Sequence, residues 1–176
     1  MQHNGTTPDC KCARCRSIAG GLSPEEATRQ QLEWQAQCLA ERGFYVHYVS
    51  DDATSPTRFN AHTHGMNLLN HLDFQLVIQL PPKVGHNILC SLAEMVKDGS
   101  RFEAGQLVEN IIRTFPIKLI EATENDRKVL RIILPDPDGK LELDEINQQY
   151  SLQYQQLDGN EVKQPWTPYP KRRKSY

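Results

Sequence analysis

Three observations predict an α+β fold with a mostly antiparallel sheet and two main helices. Two stretches of the 176-residue chain have apolar residues at helical spacing. Several shorter runs are rich in aromatic and branched residues or alternate apolar with polar. Short turns join these runs, so neighbouring strands pair as antiparallel partners beneath the helices.

In chain order, residues 1–21 form a polar arm ending at Gly20-Gly21. Ser23-Pro24-Glu25-Glu26 then opens the first helix, with Ser23 as N-cap, proline at the first helical position and glutamate three residues after the cap. The helix is expected to reach Arg42 and stop at Gly43, with Leu32, Ala36 and Leu39 as its buried stripe, beside Gln35 and Cys38. Phe44 to Val49 favours a strand, residues 51–56 turn, and Arg58 to His64 reads as a second strand ended by Gly65. Asp73 to Leu80 alternates most clearly, Phe74, Leu76, Ile78 and Leu80 facing one way and Gln75, Val77 and Gln79 the other.

Pro81-Pro82 closes that strand. The second helix follows over residues 83–98, with Val84, Ile88, Leu92 and Val96 as its stripe and Gly99 as its stop. Residues 101–114 fit helix or loop equally. Pro116 to Ala122 and Lys128 to Leu134 make an antiparallel pair through Glu124-Asn125-Asp126. Residues 135–139 (Pro-Asp-Pro-Asp-Gly) form a turn. A short helix is expected from about Leu143. The division is an arm (1–21), an α+β domain (22–158) and a polar, basic tail (159–176).

Net charge is −2 and the sequence pI about 6.3, so no global field draws the chain to nucleic acid or anionic membrane. No apolar run approaches the ~20 residues of a membrane-spanning helix, and the first residues lack a basic start or an apolar stretch. A cytoplasmic location is the expectation, and in that reducing compartment clustered cysteines read as metal-binding or catalytic before they read as disulfides.

Cys10, Cys12 and Cys15 form such a cluster. Thiolates are preferred zinc ligands, and the C-x-x-C spacing brings two of them to one ion from a tight turn. His62 and His64, two apart on a strand, point to one face. Cys38 and Cys90 fall within helical apolar patterns and read as buried small hydrophobes. His47 and His71 join a histidine cluster only if the strands pair suitably. Asp73 is placed to cap a loop or orient an imidazole, and His86 reads as surface. Lys171-Arg172-Arg173-Lys174 makes a basic tail, read as a solvated end. The chain lacks a phosphate-binding loop, a G-x-S-x-G elbow and an H-E-x-x-H helix.

Four segments, in order, carry a resemblance: residues 59–66 (Phe-Asn-Ala-His-Thr-His-Gly-Met), 71–76 (His-Leu-Asp-Phe-Gln-Leu), 98–102 (Asp-Gly-Ser-Arg-Phe) and 134–139 (Leu-Pro-Asp-Pro-Asp-Gly). Together they resemble the bacterial domain-of-unknown-function family 4262, over about half the chain. Leu72 stands where that family usually has proline. The resemblance implies a compact α+β fold and supplies no reaction. The cysteine arm and the paired histidines belong to this variant rather than to the whole family.

Three functions are consistent with these residues. In the first, zinc is held by Cys10, Cys12 and Cys15 with His62 or His64 as fourth ligand, a closed structural site tying the arm to a binding or regulatory module. In the second, His62, His64 and a third ligand such as His71 leave a zinc position open to water, Asp73 serves as general base, and the protein is a metal-dependent hydrolase. In the third, the protein is a metal-free interaction partner of another protein or a small molecule.

Overall fold

The computed structural model describes residues 13–49, 60–78, 80–124 and 127–155. Among them the elements run α1 (Ala13–Ala19), α2 (Pro24–Arg42), β1 (Tyr45–Val49), β2 (Asn60–His64), a 3-10 turn (Met66–Leu69), β3 (Asp73–Leu76), α3 (Pro82–Lys97), β4 (Leu107–Val108), β5 (Ile117–Glu124), β6 (Arg127–Ile133), and α4 (Gln148–Ser151) followed by a 3-10 turn. The described strands form one six-stranded sheet in the order β1-β2-β3-β6-β5-β4. All pairings are antiparallel except β3 with β6, the α+β arrangement expected. No helix among the described residues is long and apolar enough to cross a membrane.

One sheet face builds the main core. Phe44, Phe74, Leu76, Leu119, Leu130 and Ile132 pack against Ile88, Leu89, Leu92 and Val96 of α3. Val84 stays outside this stripe, 44% exposed, because it lies in the helix's first turn. The opposite face is covered as well. Ile133 and Ile120 gather Leu141, Ile146, Tyr150 and Tyr154 of the C-terminal segment into a second apolar cluster. Arg131 is buried beneath that segment, donating from Nε to Gln75 Oε1 at 2.8 Å and from a terminal nitrogen to the Gln155 carbonyl at 2.6 Å. Asp136 anchors the turn before it by accepting the backbone N–H groups of Asp138, Lys140 and Asn147.

α2 has the predicted ends: the Ser23 hydroxyl accepts the Glu26 N–H at 3.1 Å, and Gly43 is left-handed at φ 82°. Its expected stripe fails, however. Leu32 is 59% exposed, Ala36 is exposed, and Ala27 alone is buried among its residues. α3 already fills the helix-facing side of the sheet, so α2 packs instead on α1, where Arg14 Nε donates to Thr28 Oγ1 at 2.9 Å, and on β1. β3 is also shorter than its alternating pattern. It ends at Leu76, opposite Ala61, where the β2 ladder runs out; Ile78 then turns in to touch both clusters. The C-terminal helix begins at Gln148 rather than near Leu143, because Asn147 supplies the side-chain cap.

A tight crossing fixes the end of β2. Gly65 has φ 109°, and a Cβ there would lie 2.4 Å from the Gly43 carbonyl oxygen and 2.7 Å from Leu39 Cδ2. Only glycine lets the chain turn there while α2 ends against it.

Candidate metal centre

Strand register assembles the site. β1 and β2 pair with His47 opposite His62 and Tyr45 opposite His64, and β2 pairs with β3 so that His62 faces Gln75. Cross-strand partners share a face, so His47, His62 and His64 converge on the side away from α3. One ligand nitrogen from each lies within 4.8 Å of the others. His62 Nε2 and His64 Nε2 are 2.9 Å apart. Tyr45 stacks on His64 with ring centroids 4.8 Å apart, and Trp34 of α2 meets Tyr45 edge-on.

The tautomer of His62 follows from its neighbours. Its Nδ1 faces Glu124 Oε1 at 3.1 Å and Asn60 Oδ1 at 3.4 Å, both acceptors. Nδ1 therefore carries a hydrogen, and Nε2 is the atom turned toward the cluster. Burial alone would push the Glu124 carboxyl up, but hydrogen bonds from His62, Arg127 and Asn60 hold it far below the usual carboxylate range. A carboxylate gripping the far nitrogen of an imidazole is the arrangement that orients metal-binding histidines. His64 is pushed down to about 3 by burial, then by the neighbouring His62, Arg127 and His47, so its ring is neutral at ordinary pH.

Arg127 braces the arrangement. One terminal nitrogen donates to Glu124 Oε2 and the other to Asp73 Oδ2, each at 2.8 Å. Asp73 Oδ1 accepts the Thr63 hydroxyl and the Met66 N–H. Asp73 thus caps the turn after β2, with both its oxygens accepting hydrogen bonds from the fold. Burial raises its carboxyl pKa, outweighing these hydrogen bonds. Beside His64 lies a cleft of about 400 Å³ whose wall includes Asn67, Leu72, Asp73, Arg127 and Lys128.

The predicted residues separate into groups. His62 and His64 are together and share one face. His47 joins them through the β1–β2 register. His71 does not: its Nδ1 donates to the Leu72 carbonyl, its Nε2 accepts the Phe102 N–H at 3.1 Å, and its ring lies against Phe74. Both nitrogens serve the fold, so His71 is not the third ligand of an open site. Cys10 and Cys12 lie outside the described residues, and Cys15 is placed only by its backbone in α1. Cys38 and Cys90 are half-buried rather than core. His86, expected at the surface, is half-buried with Nε2 3.3 Å from Cys90 Sγ. Glu124 escaped sequence reasoning because it was placed in the β5–β6 turn. Its signal was the alternation Ile120, Ala122, Glu124, which continues the strand to the turn.

A family model described as a domain of unknown function (DUF4262) matches residues 39–143, a stretch that includes the three clustered histidines and Glu124. No curated protein matches the chain, and no solved structure does.

Proposed function

This chain belongs to the DUF4262 family, and we propose that it is a metal-binding member, holding a zinc-like divalent ion through His47, His62 and His64. The observation that carries this reading is the convergence of three imidazoles, with the Nδ1 hydrogen of His62 claimed by Glu124. Neutral imidazole is a good zinc ligand. At Zn–N distances of about 2.0–2.1 Å, tetrahedral ligands sit roughly 3.3 Å apart. The observed 2.9 Å between His62 and His64 needs only a slight opening of the rings.

Three histidines leave one tetrahedral position. A thiolate from Cys10, Cys12 or Cys15 there would make a closed structural site that ties the arm to the sheet. Water there would make an open site, able to take an exchangeable ligand or to generate hydroxide for hydrolysis. The cleft beside His64 favours the open form.

The test is metal content of untagged protein purified without chelator, for the parent chain and for His47→Ala, His62→Ala, His64→Ala and Cys12→Ser. About one zinc per chain, lost in each histidine variant and kept in Cys12→Ser, is expected. Loss in Cys12→Ser as well would assign the fourth position to the arm. Unchanged metal in all three histidine variants, or none in the parent after zinc titration, would overturn the reading.

A further inference from the structure

We infer that the cleft beside His64 binds a small oxyanion, a carboxylate or phosphate group, that spans the metal and the Arg127 guanidinium. This rests on the metal reading above.

The charge balance of the site points to this ligand. Three neutral imidazoles bring no negative charge to a divalent ion. The nearest carboxylates are already committed: Glu124 to His62, Asn60 and Arg127, and Asp73 to Arg127, Thr63 and the Met66 N–H. A metal at the histidines therefore keeps its positive charge and favours an anion over water as fourth ligand. Among the described residues the cleft wall has one carboxylate, that of Asp73. It presents Arg127, Lys128 and Asn67 alongside His64.

Arg127 suits the second half of the grip. Two carboxylate contacts use two of the five N–H donors of a guanidinium. These contacts also hold the group rigid, one third exposed, against the cleft. A planar fork fixed in place recognises carboxylate and phosphate oxygens better than a mobile ammonium does. Lys128 pairs with Glu121 at 3.0 Å, but both are more than half exposed, so that pair is weak and the ammonium can turn toward an anion.

The experiment uses the full chain loaded with cobalt(II), whose visible absorption reports ligand exchange, in a chloride-free buffer. Inorganic phosphate and acetate are titrated separately. A saturable spectral change with at least one of them is expected, and which one responds identifies the oxyanion class. Arg127→Lys should weaken that response at least about ten-fold, and Lys128→Gln up to about five-fold. Lys128 is exposed, so its variant remains informative if Arg127→Lys fails to fold. Failure of the parent to develop a cobalt spectrum would overturn the metal reading and this inference with it. A cobalt spectrum indifferent to both anions would overturn this inference alone. So would an anion response unchanged in both variants, because the anion would then be held by the metal without the cleft.

Discussion

Replacing Gly65 with alanine tests the corner on which the histidine strand is hung. The residue sits at φ 109°, and the added methyl would come within 2.4 Å of the Gly43 carbonyl oxygen. A side chain at positive φ costs about 1–2 kcal/mol. The overlap is with backbone, which cannot rotate away, and forcing an extra carbon into a filled space costs about 1–3 kcal/mol more. The sum is about 3 kcal/mol. In a domain of this size that lowers the melting temperature by about 6–12 °C, read by circular dichroism of the parent and variant under identical buffer and metal conditions. Gly43→Ala is the control: its φ is 82°, but nothing lies within 4 Å of the added Cβ, so it should show the conformational part alone. Equal losses in the two variants would refute the steric reasoning. A loss below about 1 kcal/mol at Gly65 would mean that the corner shifts freely.

Three further outcomes are expected. Glu124→Gln keeps the shape but removes the charge that holds the Nδ1 hydrogen of His62, and should weaken zinc affinity about 10–100-fold in a chelator competition titration. Asp136→Asn disturbs a carboxylate that accepts three backbone N–H groups and should cost roughly 2–3 kcal/mol in urea unfolding at neutral pH. Burial pushes the Asp136 carboxyl up, but those hydrogen bonds pull it below its ordinary value. Its contribution is therefore complete above the unfolded value of about 4 and fades as pH falls below that, so the gap between parent and variant should narrow on acidification. Leu32→Gln on exposed α2 should change stability by less than about 0.5 kcal/mol; a loss above about 2 kcal/mol would restore the buried stripe that its spacing suggested.

What could be read from the sequence depended on how far apart the causes lay. The ends of α2 were legible because Ser23 and Gly43 act on their own turns. The shared face of His62 and His64 was legible because strand alternation is local. His47 was not assignable, since its place beside His62 depends on the register of β1 on β2. The exposure of α2 was hidden for a similar reason: α3, sixty residues further on, had taken the sheet face first. Arg131 looks like a surface strand residue, yet it is buried, donating to Gln75 and to the carbonyl of Gln155, both distant in sequence. His71 resembled a ligand in spacing, and only the approach of the Phe102 N–H reveals its role in the fold.

β1 is the outermost strand on one side of the sheet, and it carries His47. Marginal strands fray before interior ones. A cation gripped by His47 and by the β2 histidines would sew that margin shut, so occupancy and fraying become two readings of one equilibrium. The off-rate of the ion would then be set by how often the hem opens rather than by the strength of any single bond. Amide hydrogen exchange along residues 45–49 would keep time with it.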